Sequence, residues 1–102
     1  MTTITAEEVK SRLDAGEQLN LVDVREPAEH AEFNIGGILL PLGRVQTMQI
    51  DDIEDLKNEE VICYCRSGNR SMQASLMLET FGFSNVKNLT GGMLSWQEKF
   101  AK

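Results

Sequence analysis

The segment Cys65-Arg66-Ser67-Gly68-Asn69-Arg70-Ser71 joins a nucleophilic sulfur to two guanidinium groups and to small residues whose backbone can curl. A cysteine reacts as its thiolate, and inward-pointing loop amides followed by a helix N-terminus form a site that holds a thiolate, a persulfide anion or an oxyanion. Gly68 gives the backbone freedom for the tight curl such a cradle needs. Moving a thiol pKa from ~8.5 to ~6.5 takes roughly 2.7 kcal/mol at 1.36 per unit, within reach of a helix terminus and charge-assisted hydrogen bonds. Cys65 is therefore the candidate nucleophile, and Arg66, Ser67, Gly68, Asn69, Arg70 and Ser71 are the candidate substrate-binding loop.

The elements around this loop must hold it still. Val61-Ile62-Cys63-Tyr64-Cys65 lacks apolar/polar alternation, the pattern of a strand buried on both faces of a parallel sheet. After the loop, Ala74, Met77, Leu78 and Phe81 recur at helical spacing up to Gly82, which predicts a helix from about Arg70 to Phe81. Upstream, Thr5-x-x-Glu8 is a capping box and predicts a helix from Thr5 to Ala15, closed by Gly16. Leu19 to Val24 reads as a strand followed by a short helix opened by Pro27. A brief strand lies between Gly36-Gly37 and Pro41, and a loosely helical stretch from Gly43 to Leu56 holds a short helix capped by Asp51-Asp52. Val86 to Leu89 forms the last strand, and Thr90 caps a terminal helix whose face carries Met93, Trp96 and Phe100.

Strands alternating with helices imply an α/β fold, a parallel sheet of about five short strands with helices on both faces and right-handed crossovers. A length of 102 residues predicts one domain over the whole chain. In such sheets ligands bind outside the carboxyl ends of the strands, where both Asp23-Val24-Arg25 and the Cys65 loop fall.

Net charge of −6 argues against nucleic-acid and anionic-membrane partners, which need a basic stripe. The absence of a spanning apolar run or a leader-like start predicts a soluble cytoplasmic protein. Cys63 and Cys65 are too close along one strand for an unstrained disulfide, so free thiols in a reducing compartment are expected. One histidine and no Cys-x-x-Cys pair leave no convincing metal ligand set, and no cofactor is expected. Cys63, sharing the face of Cys65 but deeper in the sheet, is expected as core filler. Asp23 is expected to bond loop amides and orient Arg25, both in structural roles, while His30, Arg44 and the acidic residues between Asp51 and Glu60 are expected on the solvated surface.

The Cys-Arg-Ser-Gly-Asn-Arg-Ser loop resembles the active-site loop of the rhodanese family. Asp23-Val24-Arg25-Glu26 and Leu89-Thr90-Gly91-Gly92-x-x-x-Trp96 are similar to two further motifs of that family, so the resemblance spans nearly the whole chain. It implies a sulfurtransferase with a persulfide on Cys65, the loop amides holding that persulfide, and Arg66 and Arg70 favouring an anionic donor such as thiosulfate. The acceptor it implies is a thiol, cyanide or a sulfur-carrier protein. The stretch Asn34 to Pro41 resembles rhodanese modules attached to ubiquitin-activating-like sulfur-transfer enzymes, which points toward the carrier-protein acceptor. A relay fed by a cysteine desulfurase uses the same chemistry. The rivals are a non-catalytic rhodanese-like binding module and a small phosphatase. The phosphatase is disfavoured because related phosphatases place five residues between Cys and Arg, whereas four, Arg66 to Asn69, intervene here.

Overall fold

The computed structural model describes residues 1–100. In chain order the elements are β1 (Thr2–Ile4), α1 (Ala6–Asp14), β2 (Leu21–Asp23), α2 (Pro27–Glu32), β3 (Ile38–Leu39) and α3 (Leu42–Gln46). A 3₁₀ segment (Asp51–Leu56), β4 (Glu60–Tyr64), α4 (Asn69–Thr80), β5 (Asn85–Leu89) and α5 (Gly92–Phe100) complete them. The five strands form one parallel sheet in the order β1-β5-β4-β2-β3, as the alternation of strands and helices implied.

β4 lies at the centre, with Cys63 in register with Val22 on one side and Asn88 on the other. From β2 the chain builds outward to β3, then returns through β4 and builds the opposite way to β5. The direction of winding thus reverses between β2 and β4, the place where a cleft opens beyond strand ends. β4 has no alternation because both its faces are covered. Val61, Cys63 and Cys65 face a core shared with Val45, Ala74 and Leu78 of α3 and α4, whereas Ile62 and Tyr64 face one shared with Val9 of α1 and Met93 and Trp96 of α5.

The α1 capping box is present in full: the Glu8 amide donates to Thr5 Oγ1 at 3.1 Å and the Thr5 amide to Glu8 Oε1 at 3.2 Å. Gly82, at φ +103°, follows α4 as the periodicity required. The double glycine before β3 is a packing requirement, since a Cβ at Gly37 would lie 2.1 Å from the Leu21 carbonyl oxygen.

Several expectations need correction. β1 was not anticipated, because a three-residue edge strand with one buried side chain, Ile4, leaves no periodic signal. The Leu19 to Val24 strand contracts to Leu21–Asp23. Asp51 and Asp52 do not cap a helix; they occupy the first turn of the 3₁₀ segment, behind Ile50. Thr90 does not cap α5 either: its amide donates to the Ile4 carbonyl, tying β1 to β5, and the helix begins at Gly92.

Far from the cleft, Glu60 at the start of β4 accepts two hydrogen bonds from Arg12, at 2.7 and 3.0 Å, and another from Lys87. The Arg12 bonds, against the opposing cost of burial and with help from Lys87, hold its carboxyl at about 2. A carboxyl held below its ordinary 4.5 stabilises the fold above that pH, and the contribution is lost as pH falls from about 4.5 toward 2. Glu60→Gln should therefore lower Tm at pH 7 and show a smaller further drop at pH 3 than the native protein, measured by thermal denaturation followed by circular dichroism.

Candidate active site

Cys65 is the first residue beyond β4 and is buried at the floor of the loop. Its Sγ accepts hydrogen bonds from the Gly68 amide at 3.1 Å and the Ser71 amide at 3.4 Å. Burial pushes the thiol pKa up, but the Ser71 hydroxyl and the amides of Ser71, Gly68 and Ser67 outweigh it, so the net shift is downward. Cys63, more deeply enclosed in the core, lacks such a cradle and is pushed up to about 12 by desolvation. Two residues apart, one thiol is thus shifted down and the other up.

One side of the cradle is set where two loop carbonyls are drawn outward. At the start of α5 the Met93 amide donates to the Cys65 carbonyl and the Leu94 amide to the Arg66 carbonyl, both at 2.9 Å. In a trans peptide the N–H points opposite the C=O, so the outward Arg66 carbonyl turns the Ser67 N–H toward the sulfur, whereas the Gly68 and Ser71 donors belong to the peptides after Ser67 and Arg70. The approach is close enough that a Cβ on Gly92 would sit 2.4 Å from the Cys65 oxygen and 2.7 Å from the Arg66 carbonyl carbon, and φ there is +53°. On the other side Gly68 takes φ +104° as the N-cap of α4. Buried Asn88 of β5 donates to the Gly68 carbonyl at 3.2 Å and its Oδ1 meets the Ser71 hydroxyl. That hydroxyl has one proton, and the Gly68 carbonyl, Asn88 Oδ1 and Cys65 Sγ compete for it.

Asp23 ends β2 beside the loop and is fully buried. It accepts from the Arg25 amide at 3.0 Å and from Arg25 Nε and Nη2 at 2.9 and 2.8 Å, and Arg25 Nη2 also donates to the Phe33 carbonyl. The Arg25 guanidinium lies 5.6 Å from the Tyr64 ring centroid. His30 departs from the solvated surface position expected of it. Its Nδ1 stands 2.8 Å from Asp23 Oδ2, and because a carboxylate only accepts, Nδ1 carries the proton.

The arginines of the loop have different surroundings. Arg70 makes a two-pronged pair with Glu29, 2.8 Å to Oε1 and 2.9 Å to Oε2. These Arg70 bonds, aided by the Glu26 amide and opposed by burial, bring the Glu29 carboxyl down to about 2. Arg66 is exposed and has no ion pair among the described residues. It lines a cleft of about 440 Å³ with Arg25, Glu29, Glu32 and Phe33 on one side and Met93, Leu94 and Gln97 of α5 on the other. Ser67 and Asn69 are exposed on the loop, while Gly68 and Ser71 are buried beneath it. Glu29, Glu32, Asn88 and the α5 wall were not singled out from the sequence. The Glu29 to Arg70 pair spans 41 positions and leaves no local trace, whereas Asn88 could have been noticed as a polar residue in a buried strand.

The rhodanese-like domain family matches residues 5–99, and the chain belongs to that family. Similar proteins include a sulfurtransferase of Allochromatium vinosum, 39% identical over 94 residues, spanning 91% of this chain and 85% of that one. A putative sulfur carrier protein of Bacillus subtilis, YrkF, is 35% identical over 97 residues, covering 94% of this chain but only 51% of its own length. Among solved structures, a rhodanese-like domain protein from Staphylococcus aureus superposes with a TM-score of 0.82 at 30% identity, covering 94% of this chain and 91% of that one. Relatives named as sulfurtransferases support a transferase of the rhodanese family. Among the described residues, no helix is long and apolar enough to cross a membrane.

Three consequences can be measured. Iodoacetamide should alkylate Cys65 with a pH midpoint below that of an unperturbed thiol and leave Cys63 untouched in the native state, as read by fragment mass spectrometry. Ser71→Ala should move the Cys65 midpoint upward. Gly92→Ala, which forces a side chain against the loop carbonyls in a left-handed backbone, should destabilise the fold by about 2–4 kcal/mol in urea denaturation.

Proposed function

We propose that the protein transfers sulfane sulfur through a persulfide on Cys65, with the loop Arg66 to Ser71 holding that persulfide. The single observation that carries this reading is the set of amide donors around Cys65 Sγ, at 3.1 and 3.4 Å, which suits a sulfur anion. In the first half-reaction the Cys65 thiolate attacks the outer sulfur of a donor. With thiosulfate the S–S bond breaks, sulfite leaves with the electron pair, and Cys65 carries a terminal S⁻. In the second, a thiolate or cyanide attacks that terminal sulfur and the Cys65 thiolate is released. No proton transfer is required when donor and acceptor both react as anions, so these steps assign no acid or base role to His30 or Asp23. Neither step uses a metal or an organic cofactor.

The donor is thiosulfate or a protein persulfide, and the acceptor a thiol, cyanide or sulfur-carrier protein. The small ring between Cys65 and Arg70 and the commitment of Arg70 to Glu29 weigh against a phosphatase, whose arginine must be available to equatorial phosphoryl oxygens. Asp23 and Arg25 act as supports, the carboxylate fixing the guanidinium at the cleft wall. The chain acts as one domain in the cytoplasm.

Intact mass spectrometry after incubation with thiosulfate, or with a desulfurase charged with persulfide, tests the reading. One added sulfur atom is expected on the native protein and on Cys63→Ala, none on Cys65→Ala, and cyanide should remove it as thiocyanate. If neither donor loads Cys65, the enzyme reading fails and a binding module takes its place.

A further inference from the structure

Loop arginines would ordinarily be assigned to an anionic donor, yet the cleft next to this loop is not electropositive. Arg70 is engaged at both guanidinium nitrogens by Glu29, at 2.8 and 2.9 Å, and Arg25 is engaged by buried Asp23. Among the cleft-lining residues Arg66 alone is a cation without an ion pair among those described, and it shares the lining with the carboxylates of Glu29 and Glu32. The formal charges of the lining residues cancel. Phe33, Met93 and Leu94 add an apolar wall, which an inorganic oxyanion cannot use and the carbon body of a thiol can.

We infer that Glu29 is a donor-selectivity residue, turning the cleft away from dianionic sulfur donors and toward organic persulfides that carry a single negative charge at the transferring end. The inference rests on the sulfurtransferase reading and names its donor class. Its physical basis is that Coulomb energy scales with the product of the charges, so a fixed carboxylate disfavours a dianion twice as strongly, in free energy, as a monoanion. In binding constants the factor is squared.

Thiosulfate and methanethiosulfonate make a matched pair of probes. Both deliver a terminal sulfur from a sulfonyl centre, the first with two charges and sulfite as leaving group, the second with one charge and methanesulfinate. Glu29→Gln keeps an amide oxygen to accept the Glu26 N–H, a bond now 3.0 Å long, so the start of α2 should persist. With cyanide as acceptor, the variant is expected to lower KM about threefold for methanethiosulfonate and about ninefold for thiosulfate, with kcat changed less than about twofold. Added salt should shrink the difference between donors. An equal change for both donors, or a higher KM for thiosulfate, overturns the inference. Should Glu29→Gln not fold, Glu32→Gln, which lines the cleft outside that capping box, must show the same squared relation between donors. Intact mass separates the two levels of failure: sulfur on Cys65 with equal donor responses removes only the selectivity role. No sulfur on Cys65 from any donor removes the sulfurtransferase reading and this inference together.

Discussion

The first amides of α5 reach the carbonyls of Cys65 and Arg66, and the geometry of the site depends on that contact. A helix N-terminus has N–H groups without partners in its own ladder, and here they are satisfied by the loop. The loop in turn has the Cys65 and Arg66 carbonyls fixed outward, which turns the Ser67 amide toward Sγ beside the Gly68 and Ser71 donors. Both needs are met only because Gly92 has no side chain, since the backbones approach to a distance that a single methyl would block. The last helix of the chain thus fixes the shape of a loop near its middle, and the central position of β4 gives that loop a rigid base.

Around this backbone frame the charged groups are arranged so that none is buried alone. Asp23, fully enclosed, has Arg25, the Arg25 amide and His30 as partners, and removing any one would leave part of a buried carboxylate without compensation. Glu29 does two jobs of the same kind, holding the first turn of α2 through the Glu26 amide and holding Arg70. Arg25 and Arg70 are therefore constrained by local carboxylates before any ligand arrives, and the field a ligand meets is smaller than a count of guanidinium groups suggests.

Much of this was legible in the sequence, for identifiable reasons. The unalternating run at β4 and the helical spacing from Ala74 to Phe81 reflect burial, which leaves a periodic trace. The curl of the loop was legible because Gly68 sits between a strand and a helix, and its left-handed φ is what that junction needs. What stayed hidden depends on pairs distant in sequence. Glu29 reads as one acid in a short polar helix until the fold brings Arg70 to it, and His30 reads as surface until β2 places Asp23 beneath it. β1 stayed hidden because its identity comes from the β5 edge it joins rather than from its three residues.

Cys63 sits one pleat beneath Cys65 on the same face of the sheet, enclosed by the core and held in the protonated form. A thiol that stays protonated is a poor nucleophile toward a disulfide or persulfide, so this neighbour is ill-suited to take sulfur from Cys65 or close a bond with it. The inner side of the site is a chemical dead end. Sulfur loaded onto Cys65 in the proposed cycle would depart through the loop side by which it came, and the lifetime of that loaded state would be set by outside encounters rather than by any internal clock.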